Sequence, residues 1–353
     1  MGLQVIPEQE VAFGQITSVI EASQQIAICA HTSPDGDAIG SGLALGMIIE
    51  TTWPHKQVTN LLADDAPVPR IYNFLPGASK MVPASRYTGS PDLFISVDLS
   101  VDARLNKALP VLGRSQRHVI IDHPPCETHT GEAFVIRPQA AAVGVIVTEY
   151  ALHLGVRLTR PIAQCLFCAI VTDTGRFQYQ NADPESFQAA SLLVDAGASP
   201  AEVSLNVYQS FSLAYLHLES AVMSRVTTFA GGKIAYSYAT IEDLRRTGAS
   251  LDECDGLIDE VRSVRGSEIA LFLKEVPGGK VRGNLRSKTN WDVSKVASEL
   301  GGGGHAAAAG FTVEGDLDEV LATVLPKLRD LVDVPDWRDA TGSLGQCAGV
   351  PVR

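Results

Sequence analysis

Gln25-Ile-Ala-Ile-Cys-Ala-His31-Thr-Ser-Pro-Asp35-Gly-Asp37-Ala-Ile-Gly40-Ser41 is the stretch that decides how this chain is read. An apolar run ends in a histidine, a short polar turn carries two aspartates, and an apolar-rich stretch, Ala38–Glu50, follows. That order is strand, turn, helix. Further strands are expected at Gln57–Ala63, Leu93–Leu99 and Arg117–Asp122, and further helices at Val143–Leu154 and Ile162–Thr172. Buried strands alternating with helices predict an α/β domain built on a mainly parallel sheet.

Working outward, Pro184–Ala196, Pro200–Val207 and Ala214–Arg225 read as helices, the first two with proline near the first turn. A second, smaller α/β unit is expected from Val226. Its strands are Lys233–Ala239, Glu268–Glu275 and Val281–Arg286, the last two joined as a hairpin through Pro277-Gly278-Gly279. Helices are expected at Ser250–Val264, Asp292–Leu300 and Asp316–Val332. The expected division is 1–190 for a catalytic domain, 191–225 for a helical connector, 226–335 for a substrate-binding domain and 336–353 for a loosely held tail.

A length of 353 residues suits two domains, and 45% hydrophobic with 19% charged residues is the profile of a folded chain. No apolar run has the roughly 18–20 residues of a membrane span, and Met1–Glu10 lacks the basic start of a secretory signal. A cytoplasmic protein without membrane partners is the expectation. Six scattered cysteines are too few for a disulfide framework, and Cys165-Leu-Phe-Cys168 reads as core rather than as a redox or zinc motif. The net charge of -12 argues against a general nucleic-acid coat, yet residues 262–295 carry eight basic against three acidic side chains.

Three clusters stand where apolar strands end: His31 with Asp35 and Asp37, then Asp98, then Asp122-His123. A fourth, Asp173, follows a helix in Thr172-Asp173-Thr-Gly175-Arg176-Phe177. Ligands of open parallel sheets bind at the carboxyl ends of strands, so the first three should converge. Each has a structural alternative: Asp35 or Asp37 as a helix cap, Asp98 as a turn residue, Asp122-His123 as an exposed strand end. Converging carboxylates, however, repel one another unless cations hold them together. Mixed oxygen and imidazole donors suit Mn²⁺, with Mg²⁺ the weaker alternative. A pair of such ions activates water for in-line phosphoryl displacement, which predicts metal-dependent phosphoester hydrolysis. In the second unit, Arg286-Ser287 and Gly301-Gly-Gly303-Gly304-His305 read as an anion-binding half-site.

These motifs, in this order and spacing over about residues 15–330, resemble the DHH phosphoesterase family, in particular its short soluble nano-RNase (oligoribonuclease) and pAp-phosphatase members. The resemblance implies one metal held by His31, Asp35 and Asp98, and a second held by Asp37, Asp98, His123 and Asp173. Asp98 bridges them, a hydroxide between them attacks, and Asp122 orients His123. It further implies a DHH-associated C-terminal domain in which Arg286, Ser287, Gly303, Gly304 and His305 hold nucleotide phosphate. The substrates implied are short RNA, linear dinucleotides such as pApA, and pAp, with a homodimer allowed. The family's Asp-His-His signature is here Asp122-His123-Pro124. Two alternatives stay open: a cyclic-di-AMP/pApA signalling phosphodiesterase and, because of that departure, a weakly catalytic nucleotide-binding protein.

Overall fold

The computed structural model describes Leu3 and residues 7–123 and 130–332. The chain divides into two compact units, Met1–Ser210 and Phe211–Arg353. Pro124 and the tail 336–353 lie outside the described residues.

In the first unit, β1 (Gln25–Cys29), β2 (Gln57–Leu62), β3 (Val82–Pro83), β4 (Leu93–Val97), β5 (Arg117–Asp122) and β6 (Ala133–Ile136) form one sheet in the order β3-β2-β1-β4-β5-β6. Every pairing is parallel. Both faces are buried, which is why the strands read as continuous apolar runs rather than alternating ones. Ile26, Ile28, Leu93, Ile95 and Val97 belong to the larger core, while Ala27, Cys29 and Phe94 face a smaller one with Leu105 and Val111.

The helices of this unit are α1 (Pro7–Glu21), α2 (Gly36–Thr52), α3 (Leu109–Leu112), α4 (Val143–His153), α5 (Arg160–Asp173), α6 (Pro184–Asp195) and α7 (Pro200–Val203). α1 is absent from the sequence expectation although Phe13, Ile16 and Ile20 recur at helical spacing and are fully buried. β3 and β6 were also not foreseen, being too short to show a pattern. The helix expected to run to Val207 ends at Val203 and continues as a wider π-type turn, Ser204–Tyr208.

α2 packs against α5 with almost no padding. A Cβ on Gly40 would lie 2.4 Å from the Cys165 carbonyl oxygen, and one on Gly144 of α4 would lie 2.7 Å from the Ala169 methyl. Glycine is needed here for close approach, not for an unusual backbone. Cys165 and Cys168 are reduced and buried within this layer, as expected, and burial pushes both thiols up.

The second unit contains α8 (Leu213–Met223), α9 (Ile241–Thr247), α10 (Leu257–Arg262), α11 (Val293–Glu299) and α12 (Leu317–Leu331). Its sheet comprises β7 (Thr227–Phe229), β8 (Ile234–Ala239), β9 (Ile269–Val276), β10 (Lys280–Ser287), β11 (Gly303–His305) and β12 (Ala308–Glu314), in the order β11-β12-β10-β9-β8-β7. β8 and β9 are parallel and the other pairs antiparallel. The single helix expected at Ser250–Val264 is instead a 3₁₀ turn, Asp252–Cys254, followed by α10; Gly256 stands at the break. Lys274 of the basic segment is buried and paired with Asp255 at 2.6 Å, so part of that charge serves the fold.

Two stability outcomes follow. Gly40→Ala should cost about 1–3 kcal/mol by forcing α2 off α5, read as a lower urea midpoint. The second concerns Asp243, which is buried, takes two bonds from Arg225 (2.5 and 2.9 Å) and completes a capping box with Thr240. The Arg225 hydrogen bonds hold its carboxyl well below the usual range. Its stabilisation is therefore complete above the unfolded value of about 4 and is lost as pH falls through the lower folded value. Asp243→Asn should cost about 2 kcal/mol at neutral pH and flatten the acid limb of the stability profile.

Candidate metal centre

The strand order reverses between β1 and β4, and the crevice at their carboxyl ends is where a parallel sheet opens to ligands. His31 follows β1 by two residues and Asp98 follows β4 by one. Asp122 ends β5, His123 follows it, and Asp173 is the last residue of α5. The sheet thus brings four distant segments to one place.

Two groups of side chains there offer donor atoms that all lie within 4.8 Å of one another: His31, Asp35 and Asp98, and Asp37, Asp98 and His123. Asp98 belongs to both. Its Oδ2 lies 3.3 Å from His31 Nε2 and its Oδ1 lies 3.6 Å from His123 Nε2. Asp173 Oδ2 stands 3.7 Å from the same His123 nitrogen. Asp98 adopts φ +56°, a left-handed conformation, while its N–H bonds the Ile121 carbonyl at 2.9 Å. Backbone strain of this kind is kept where surrounding structure over-determines it, and it clusters at functional sites.

Each imidazole is aimed by its other nitrogen. His31 Nδ1 lies 2.8 Å from the Thr32 carbonyl and His123 Nδ1 lies 3.1 Å from the Ala140 carbonyl. A carbonyl only accepts, so Nδ1 carries a proton in both rings and Nε2 is the nitrogen turned toward the carboxylates. Asp122 is buried but lies outside both groups. Its carboxylate accepts the His123 backbone N–H at 2.8 Å and a bond from Ser100.

Asp35 caps α2, accepting from the N–H groups of Asp37 (3.1 Å) and Ala38 (3.0 Å), so the capping alternative holds alongside the donor role. Asp37 is fully buried and accepts from Ser41 Oγ at 2.8 Å and from the N–H groups of Val143 and Gly144 at 2.7 and 2.9 Å. Those amides open α4, whose N-cap is Ala142 and has no capping side chain. Asp37 supplies that cap from another helix. A helix start lacking its own cap was the sequence signal for this contact. Asn181, which joins the carbonyls of Ala141 and Asp173 at 2.9 and 3.0 Å, left no comparable signal.

Burial and mutual repulsion dominate the electrostatics. Burial, then Asp37, Asp35, Asp173 and Asp122, push Asp98 well above the carboxylate range. Burial lifts Asp173 to about 8 and Asp37 to about 6, against the attraction of His123. Burial pulls the His123 imidazole down, but Asp173 and Asp37 outweigh it and raise the ring. A site that must take up protons to relieve its own charge is suited to divalent cations, and the oxygen and imidazole donors fit Mn²⁺ or Mg²⁺.

In the second unit, Arg286 on β10 pairs with Ala308 on β12, which pairs with His305 on β11, so the three stand at one register level. Arg286 Nη1 bonds the Leu285 carbonyl at 3.1 Å, and buried Ser287 bonds the Thr289 carbonyl at 3.1 Å. The glycine run is not a loop throughout: Gly303 and Gly304 lie in β11. A Cβ on Gly304 would meet the Ala308 carbonyl at 2.5 Å, whereas Gly303 faces open space. Strand pairing therefore accounts for Gly304, and of these two glycines Gly303 is the one that leaves room for a ligand's close approach.

Centre and fold define a two-unit α/β protein with a carboxylate–imidazole cluster at a parallel sheet's switch point. The model of the DHH family, N-terminal domain, matches residues 25–170, and that of the DHHA1 domain matches residues 231–332. Thermus thermophilus has a relative named bifunctional oligoribonuclease and PAP phosphatase NrnA. It is 30% identical over 317 residues, covering 89% of this chain and 93% of that protein. The chain belongs to the DHH family. A Bacillus subtilis protein of the same name is 26% identical, covering 87% of this chain and 96% of its own. An exopolyphosphatase-related protein from Bacteroides fragilis shares the fold, with a TM-score of 0.85 at 23% identity over 92% of this chain and 98% of that one.

Asp98 and Asp37 should separate by metal content and by stability. Calorimetric titration with Mn²⁺ should find two ions on the wild type and the largest loss for Asp98→Asn, which strips both groups. In EDTA the signs should differ. Asp98→Asn relieves repulsion and raises the melting temperature, whereas Asp37→Ala uncaps α4 and costs about 1–2 kcal/mol.

Proposed function

We propose that this protein is a metal-dependent phosphodiesterase that hydrolyses short oligoribonucleotides and linear dinucleotides such as pApA to nucleoside monophosphates, and pAp to AMP. The observation that carries this reading is the pair of overlapping donor groups sharing Asp98. The names of the Thermus and Bacillus relatives supply the substrate class. No helix among the described residues is long and apolar enough to cross a membrane, in keeping with a cytoplasmic enzyme.

Two divalent cations, Mn²⁺ or else Mg²⁺, would supply Lewis acidity and an activated water nucleophile. His31, Asp35 and Asp98 would hold one, and Asp37, Asp98, His123 and Asp173 the other. The chain's own work is to set these donors in place. The Thr32 and Ala140 carbonyls fix the protons of His31 and His123 on Nδ1, keeping Nε2 free to donate. Asp122 holds the His123 backbone, and the α4 amides hold Asp37. In the second unit, Arg286 with Ser287, Gly303, Gly304 and His305 would grip the nucleotide's phosphate. The domain roles follow: 1–190 for metal chemistry, 191–225 as connector and 226–335 for nucleotide binding, in a chain free to form a homodimer.

Purified protein assayed on pApA, a 5-mer and a 30-mer RNA, pAp and cyclic di-AMP should show EDTA-sensitive turnover fastest on pApA and the 5-mer. Equal rates on the 5-mer and 30-mer would contradict the short-substrate reading, and preference for cyclic di-AMP would favour a signalling phosphodiesterase. Pro124 in place of the family's second histidine motivates a weakly catalytic nucleotide-binding alternative. Turnover of none of these substrates despite bound Mn²⁺ would support it.

A further inference from the structure

Five carboxylates crowd the centre: Asp35, Asp37, Asp98, Asp122 and Asp173. A phosphoester is itself an anion, so its approach needs cationic side chains at the rim as well as metal. Arg104 is placed for this. It is exposed, and among the described residues its guanidinium makes no hydrogen bond or ion pair.

The backbone beneath Arg104 is pinned. Thr32, whose carbonyl aims the His31 ring, donates its own N–H to the Arg104 carbonyl at 3.0 Å. Asp64 bridges the same two segments, accepting Ser33 N–H at 2.7 Å and Asn106 Nδ2 at 2.9 Å. Lys107 N–H bonds the Ala63 carbonyl at 3.0 Å. Ser33 and Asn106 both hold left-handed backbones, at φ +51° and +42°. Strain at two non-glycine residues persists only where such contacts over-determine it. The backbone at Arg104 is thus held tightly against the His31 loop, while the Arg104 side chain is exposed and, among the described residues, unpaired.

We infer that Arg104 is a substrate-binding residue of the first unit, its guanidinium taking the scissile phosphate beside the His31–Asp98 edge of the centre. This inference rests on the phosphoester reading of that centre. Arginine suits the role because its fork donates two parallel hydrogen bonds to phosphate oxygens.

The test compares wild type, Arg104→Lys and Arg104→Ala in kcat/KM on pApA and, by calorimetry with Mn²⁺ present, in affinity for inorganic phosphate. Arg104→Ala should lose about 10- to 100-fold in kcat/KM and bind phosphate more weakly, with an unchanged melting temperature. Arg104→Lys should fall between, and added guanidinium should restore part of the alanine variant's rate. An alanine variant equal to wild type in both measurements, or one that guanidinium does not rescue, would overturn the inference. If wild type turns over no phosphoester, the proposed function fails, and the phosphate affinities decide on Arg104 separately. Equal affinities would then overturn it.

Discussion

Asp37 carries two obligations on one carboxylate. Its oxygens satisfy the first amides of α4, whose own cap residue is an alanine, and the same oxygens face His123 and Asp98. Helix start and candidate metal donor are thereby one contact. Burial alone would expel a charge from this position, since an unpaired ion in a low-dielectric interior costs several kcal/mol. The two amides and Ser41 keep it there. Anything that moves α2 relative to α4 therefore moves a donor, which is why the padding-free helix layer around Gly40 and Gly144 matters to chemistry as much as to stability.

The centre also shows how a fold stores electrostatic tension. Parallel strands all deliver their carboxyl ends to one edge, so residues at those ends meet whether or not their charges agree. Here the meeting is of like charges, and Asp98, at the centre, is raised well above the ordinary range. Hydrogen bonds from the imidazole Nδ1 atoms to backbone carbonyls, and from the His123 N–H to Asp122, hold the geometry without neutralising it. The protein spends folding free energy on a site that only cations or protons can relax.

Much of this was legible in the sequence because it lay in strand ends. His31, Asp98 and Asp122-His123 each close an apolar run, and a parallel sheet leaves such residues one place to go. Besides α1 and β12, what escaped was of two kinds. Short edge elements, β3, β6, β7 and β11, carry too few residues for a periodicity, and the glycines of β11 read only as an anion cradle although the close approach of β12 also demands glycine at Gly304. Contacts made through backbone atoms escaped as well. The carbonyls that aim the histidines and the pinning of Arg104 by Thr32 and Asp64 depend on chain paths that no side-chain pattern records. The expected helix over Ser250–Val264 failed for a simpler reason, a glycine at Gly256 between two short helical turns.

The strand order has a bearing on biosynthesis. β1 is the first strand made, yet it lies in the middle of its sheet, hydrogen-bonded to β2 on one side and to β4 on the other. Its second edge has no partner until residue 97 has been made, and β5 and β6 come later still. An emerging chain thus carries an open strand edge, flanked by apolar side chains from Ile26 to Cys29, through the synthesis of some seventy residues beyond β1, a condition under which nascent chains depend on chaperones. The arrangement that brings His31 next to Asp98 is the same one that leaves the newborn protein longest exposed.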